Sequence, residues 1–368
     1  MHGEREESPG ADTPAPGRRR RPRYRGTHPR RFAERYKELA PEKYPEIAAH
    51  VRAQGRTPAG THVPVLVPEV LAALDPRPGE VVADLTLGHG GHALALWPRI
   101  QPGGRLYGLD LDGAVLARTR DRLAAAGAEI TVEESNFAGL GSFLRRHDLD
   151  GCDVLFADLG VSSLQIDDPA RGFSYKHDGP LDMRMGESRR RTAAELLATL
   201  SAGELATALA ELADEPQAAA IAAAVVAARA RAPLQSTRDL TRLVLAAKGI
   251  SPRVLGAARR ADPDLLHPAA RTFQALRMLV NEERGNLAAL LREAPHCLKP
   301  GGRIGIVSFH SGEDRLVAEA FAAGRAAGFY AAIAAAAIRP GPAEHRANPR
   351  SSSARFRWAR RGDAGTVA

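Results

Sequence analysis

Short strand-like runs alternate with segments of helical spacing over much of the chain after Val65. The runs are Val81 to Leu87, Arg105 to Leu111, Ile130 to Glu133, Asp153 to Leu159 and Arg303 to Phe309. Such alternation predicts an α/β protein, a parallel sheet covered by helices. It stops between Ser163 and Ala269, where no run reads as a strand. There Thr192-x-x-Glu195 and Ser201-x-x-Glu204 have capping-box spacing, Pro216 and Pro233 mark breaks, and Ala218 to Ala230 reads as a packed helix too short to cross a bilayer. The pattern predicts a helical domain inserted after the fourth strand, with the sheet resuming at Gly301. No internal repeat is evident.

The two ends break the pattern differently. Residues 1–26 are rich in Pro, Gly, Glu and Arg and almost free of apolar side chains, so burial cannot offset the entropy of ordering and disorder is expected. Within them, Arg18 to Arg25 could contact nucleic acid or form a solvated arm. Residues 27–60 carry Phe32, Tyr36, Leu39, Tyr44 and Ile47 among charges, which predicts short helices docked on the main domain. Asn348 to Trp358 alternates basic with apolar residues and predicts a last edge strand with one basic face suited to phosphates, before a flexible tail over 361–368.

Composition narrows the partner more than the fold. The chain has 368 residues, 51 Lys and Arg against 43 Asp and Glu, and a net charge of +8. That balance favours a polyanionic partner without choosing among RNA, DNA and membrane. The two cysteines, Cys152 and Cys297, lack metal-ligand spacing and read as reduced core residues of a cytoplasmic protein. No apolar segment is long enough to span a bilayer, and the amino terminus lacks a basic-then-apolar signal, so neither membrane insertion nor secretion is expected.

The chemistry concentrates at strand ends. Asp84-Leu-Thr-Leu-Gly88-His-Gly90-Gly91-His92 reads as a glycine loop closing a strand, and the next strand ends in Asp110, where a parallel sheet places a ligand for ribose hydroxyls. The loop is not the dinucleotide G-x-G-x-x-G. Its acidic-x-Thr-x-Gly-x-Gly-Gly pattern is similar to class I S-adenosylmethionine methyltransferases, while a nucleotide enzyme of another kind or a structural glycine turn stays open. Strand four ends in Asp158, which belongs beside both features in an open α/β sheet, unless it only caps the following turn.

Three further segments carry candidate chemistry. Arg171 to Met185 joins the sheet to the insertion and could cover a cleft, although Met183 and Met185 could equally fill core and Asp182 could pair with Arg184. On the helix entered through Pro268, Arg271, Gln274, Arg277 and Asn281 share one face, which is either solvated or turned to the cleft. His310, in Ser308-Phe-His-Ser311, could serve as a base or hydrogen-bond donor, or be a structural histidine.

In order along the chain, His62-Val-Pro-Val-Leu66, Gly88-His-Gly-Gly-His92, Asp158-Leu-Gly-Val-Ser-Ser163, Asp178-Gly-Pro-Leu-Asp-Met-Arg-Met185, Arg271-Thr-Phe-Gln274, Ser308-Phe-His-Ser311 and Asn348-Pro-Arg350 resemble the RsmH (MraW) family. Its members are bacterial 16S ribosomal RNA methyltransferases that modify N4 of a cytosine in the decoding centre. The resemblance implies a class I S-adenosylmethionine-dependent, Rossmann-like sheet over 61–163 and 270–360, with an inserted helical substrate-recognition domain over 164–269. It implies that Gly90, Gly91 and His92 line the methionine end of the cofactor, Asp110 holds the ribose, Phe137 packs near the adenine, and Asp158 and Gln165 complete the pocket. Asp158 is the leading catalytic candidate, no metal is required, and the partner is 16S rRNA or the small subunit, with the oligomeric state open. The chain departs from the family where Ala213 to Ile221 replaces a usually more basic stretch, where Gly312 replaces a common Leu, and in its roughly 60-residue amino-terminal extension.

Overall fold

The computed structural model describes residues 64–186, 191–262 and 265–363. The expectations for residues 1–26 and 27–60, for His62 and for 364–368 lie outside these. Helix α1 (Val67–Leu74) leads into β1 (Val81–Asp84), α2 (Gly91–Ile100), β2 (Arg105–Asp110), α3 (Gly113–Ala125), β3 (Ile130–Glu134), α4 (Leu140–Arg146) and β4 (Cys152–Asp158). After the short α5 (Ser163–Asp167) come α6 (Ala193–Thr199), α7 (Ala202–Ala213), α8 (Ala218–Arg229), α9 (Thr237–Ala247) and α10 (Pro252–Ala261). Helices α11 (Ala270–Asn281) and α12 (Glu283–Cys297) return the chain to β5 (Leu298–Ser308), followed by α13 (Ser311–Ala326), β6 (Tyr330–Ile333), α14 (Pro342–Ala347) and β7 (Arg355–Arg361).

The seven strands form one sheet in the order β3-β2-β1-β4-β5-β7-β6, parallel except for β7, which runs antiparallel to both neighbours. This is the class I methyltransferase arrangement. Alternate side chains of each strand enter opposite cores, as a period of two requires. Leu155 and Ala157 of β4 join α4, α12 and α13 through Phe143, Leu290 and Phe321. Val154 and Phe156 join α1, α2 and α3 through Val70, Leu96 and Leu123. Cys152 and Cys297 are free thiols buried in the first of these cores.

Helices α6 to α9 and α11 enclose a third core around Leu197, Leu209, Ile221, Val244 and Phe273. Both expected capping boxes form at the starts of α6 and α7, with the Thr192 and Ser201 hydroxyls accepting the Glu195 and Glu204 amide N–H groups. Ser236 and Asp239 close a third box at α9. Inside this core Lys248 is buried against Glu215 at 2.8 Å and also donates to the Pro268 carbonyl at 2.7 Å. Among the described residues no helix is long and apolar enough to cross a membrane.

The carboxyl-terminal strand departs from expectation. β7 is not an edge: it lies between β5 and β6, and Arg361, expected in the tail, still belongs to it. The edge is β6, whose Tyr330-Ala-Ala-Ile333 is too short and alanine-rich to stand out as a strand. Nor is the basic face of β7 open to phosphates. Asp314, in the first turn of α13, accepts from Arg357 Nε at 2.6 Å and Nη2 at 3.2 Å, and Arg355 lies 3.9 Å from the same carboxylate.

Candidate active site

Parallel strands end on the same side of a sheet, so the register of β1 with β2 and β4 brings Asp84, Asp110 and Asp158 together. Beyond these ends opens a cleft with about 1150 Å³ of empty space, open solvent at its mouth included. Gly91, His92, Asp110, Phe137, Asp158 and Gln165 all line it, with Met185 and Asn281 on the opposite wall. Gly90 does not. It starts α2 at φ 72°, and a Cβ there would lie 2.9 Å from Thr119 Cγ2, so its lack of a side chain serves the turn and the packing against α3.

The glycine loop is pinned from beneath. Gly88 N–H donates to Asp110 Oδ2 at 2.7 Å, Thr119 Oγ1 donates to the Gly88 carbonyl at 2.6 Å, and the Asp112 N–H donates to Asp110 Oδ1 at 3.0 Å. Asp110 therefore shapes the loop as well as facing the cavity. The Asp112 side chain caps α3 and accepts from Gln165 Nε2 at 3.0 Å and Arg171 Nη1 at 2.8 Å. Gln165 reaches the wall with its amide already engaged, since its Oε1 accepts the Ser162 N–H at 3.0 Å.

Arg171 ties the sheet to the segment before the insertion. Its Nη2 donates to the carbonyls of Arg184 at 3.1 Å and Met185 at 2.8 Å. Asn281 grips the same segment from α11, donating to the Met183 carbonyl and accepting the Met185 N–H, both at 2.8 Å. Met183 is buried with φ 63°, Met185 lines the cavity, and Asp182 pairs with Arg184 through two hydrogen bonds at 2.7 and 2.8 Å. Of the polar face on α11, only Asn281 reaches the cavity. Arg277 is paired with Glu283 at 2.8 Å, and Arg271 donates to the Asp214 carbonyl.

Asp158 sits at the centre of the wall. Its N–H donates to Thr86 Oγ1 at 2.6 Å, its Oδ2 lies 3.6 Å from His92 Nδ1, and its buried Oδ1 has no hydrogen-bond partner. His92 Nε2 lies 2.9 Å from the Val65 carbonyl and so carries its proton there. Burial pushes the Asp158 carboxyl well above its usual range, and the charges of Asp84 and Glu313 add to the effect. Burial likewise raises Asp84 to about 7, against the Thr86 N–H bond that favours its anion. Asp110 is raised by burial too, opposed by the N–H groups of Asp112 and Gly88.

Glu313 contrasts with these acids. Burial pushes its pKa up, but His310 and the Phe309 N–H outweigh that and hold it below the usual range. His310 does not line the cavity: it caps α13, accepting the Glu313 N–H through Nδ1 at 3.3 Å with Nε2 3.0 Å from the Glu313 carboxylate. Sequence reasoning assigned His310 a candidate role and passed over Glu313, which does line the cavity. The His-x-x-Glu spacing at a helix start was the available signal.

These groups fit a nucleoside with a cationic tail. A strand-end carboxylate faces the place for ribose hydroxyls, Phe137, Leu111 and Val115 offer apolar contact for a base, and the orphaned oxygen of Asp158 lacks a positive or donor group. Residues 59–362 match the family described as MraW methylase. The chain is 41% identical over 351 residues to ribosomal RNA small subunit methyltransferase H 1 of Lachnoclostridium phytofermentans, covering 94% of this chain and 93% of that protein. It is 42% identical over 346 residues to ribosomal RNA small subunit methyltransferase H 2 of Alkaliphilus metalliredigens, covering 93% of this chain and 97% of that protein.

Proposed function

Since the chain belongs to the MraW methylase family, we propose that it uses S-adenosylmethionine to methylate the N4 exocyclic amine of a cytosine in the decoding centre of bacterial 16S ribosomal RNA. The observation that carries the chemical part is the buried, unpartnered Oδ1 of Asp158 in the cavity wall. Bound there, S-adenosylmethionine supplies an electrophilic methyl carbon on a sulfonium. Asp110 would accept hydrogen bonds from the ribose hydroxyls, Phe137 would pack against the adenine, and Gly91, His92 and Gln165 would line the rest of the cofactor. Gly90 contributes by holding the turn. In this reading residues 164–269 recognise the substrate, and catalysis takes place in the cytoplasm.

The N4 amine is a poor nucleophile because its lone pair is delocalised into the ring. Holding it in line with the methyl carbon contributes on the order of 7 to 11 kcal/mol. Asp158 Oδ1 would accept a hydrogen bond from this amine, and Asp158 would take the proton that N4 loses on methylation. Burial and the neighbouring acids favour a protonated Asp158 in the empty cavity. A cation held beside this carboxyl would favour its ionised form.

Single-turnover kinetics with Asp158→Asn test the role, and mapping of methylated positions tests the acceptor. The rate at saturating cofactor and RNA should fall at least about tenfold further than either affinity, as expected when a transition-state interaction is removed. The wild-type rate should decline as pH falls and Asp158 retains its proton. A variant with the full wild-type rate at saturation would reduce Asp158 to a cofactor contact. Methyl groups found anywhere but cytosine N4 would overturn the acceptor.

A further inference from the structure

We propose that the outward face of α10 binds RNA phosphates through Arg253 and Arg260, a surface that rests on the RNA substrate argued above. Helix α10 is entered through Ser251, whose hydroxyl accepts the Val254 N–H at 3.3 Å, and through Pro252. It contains Arg253, Arg259 and Arg260 and no acidic residue, and none of its residues is fully buried. Among the described residues, none of the three arginines has a hydrogen-bonding or ion-pairing partner. By contrast, Arg171 is paired with Asp112, Arg303 with Glu80 and Arg357 with Asp314.

The helical repeat sorts the three arginines. Arg253 and Arg260 are seven residues apart, so they point the same way from about 10 Å of helix, and both are exposed. Arg259 turns inward with Leu255, and its charge acts on Tyr175 and His267, whose rings stack at 4.3 Å between centroids and 13° between planes. Burial, then Arg259 and Lys248, lowers His267 to about 4, so the surroundings of this stack favour no additional cation. Tyr175 lies ten residues before Met185 on the segment that reaches the cavity, which links this surface to the site where the base is modified.

The occupant follows from charge and area. Val254 on α10, and Leu265 and Leu266 shortly after it in sequence, are 64%, 38% and 61% exposed. Three such side chains fall far short of the roughly 800 Å² per partner that a stable protein interface needs. Two unpaired guanidinium groups on one face of a helix that itself holds no acid, with Asp262 only at its carboxyl-terminal cap, suit phosphate, which they can bind through two parallel N–H bonds.

The test compares wild type with Arg253→Gln/Arg260→Gln and with Val254→Ser/Leu266→Ser, using purified small-subunit ribosomal RNA over a range of salt concentrations. Loss of two phosphate contacts should reduce the slope of log affinity against log salt by about 1.4 to 1.8 and weaken binding roughly tenfold at moderate salt. S-adenosylmethionine affinity by calorimetry and the melting temperature should stay at wild-type values, and the Val254/Leu266 variant should bind RNA as wild type does. An unchanged salt slope in the arginine variant overturns the proposal. So does a greater loss from the Val254/Leu266 variant, or a change of oligomeric state in either, since these would mark a protein contact. Failure of wild type to methylate ribosomal RNA would instead count against the functional reading.

Discussion

The sheet and the helical insertion bury charge in opposite ways. In the insertion, Lys248 and Glu215 are both inside the core, 2.8 Å apart, and their remaining hydrogen-bonding capacity goes to the Pro268 carbonyl, the Gln217 N–H and Thr272. At the strand ends, Asp84 is as deeply buried and the Asp158 side chain is only 10% exposed, yet among the described residues no Lys or Arg is paired with either, and the nearest basic group is the His92 imidazole 3.6 Å from Asp158. A satisfied buried pair holds elements in place. Buried acids left short of partners cost stability and persist where a ligand completes them.

Breaking the paired side should give the largest effect. Lys248→Met leaves Glu215 charged and alone in the core, so urea denaturation should show a loss of about 3 to 5 kcal/mol. Cofactor affinity per folded molecule should not change. A loss below 1 kcal/mol would mean that the pair is dispensable and that the contrast between the two regions is weaker than drawn.

The unpaired side should respond with the opposite sign. Asp84 has a folded pKa near 7 against an ordinary 3.8, so its stabilising contribution is fully present below 3.8 and disappears as pH rises through 7. Relative to wild type, Asp84→Asn should therefore become more stable between about pH 4 and pH 8, by at most about 4 kcal/mol. Melting curves of the two proteins that stay parallel over this range would show that the acid is not strained by burial.

A smaller effect is expected at Asp110, whose oxygens already accept two loop N–H groups. Removing the carboxylate with Asp110→Ala should cost about 1.5 to 3 kcal/mol of S-adenosylmethionine binding, roughly ten- to a hundredfold in affinity. Because the Gly88 loop is also loosened, Asp110→Asn separates the parts: it keeps the loop acceptor on one oxygen and should lose less. Calorimetric affinities equal to wild type in folded variants of both kinds would remove Asp110 from the ribose contact.

Local signals in the sequence proved the most readable. Capping boxes at Thr192 and Ser201, and strand ends at Asp84, Asp110 and Asp158, depend on residues near one another in sequence and on the general rule for parallel sheets. The convergence of Asp158 with the loop ending in His92 followed from the same rule, whereas Gln165 was reached only through the family resemblance. What escaped notice depends on partners far along the chain. Asn281 reaches back 98 residues to Met183, Arg357 is neutralised by Asp314, and β7 inserts where the residue pattern alone suggested an edge. Gly90 illustrates a different gap: glycine spacing marks the loop, while only packing against Thr119 and Leu123 separates the glycine that faces the cavity from the one that shapes the turn.

The position of β7 also bears on biosynthesis. During translation β5 emerges with its outer edge open from Arg303 to Ser308, and the strand that covers it, Arg355 to Arg361, is made after all six others. Until then the nascent chain offers a run of unpaired backbone donors and acceptors with Ile304, Ile306 and Val307 beside them, a template for pairing with another polypeptide. Closure of this sheet is thus a late event on the ribosome, and a protein aborted before Arg355 would keep the glycine loop and Asp158 while presenting an adhesive edge.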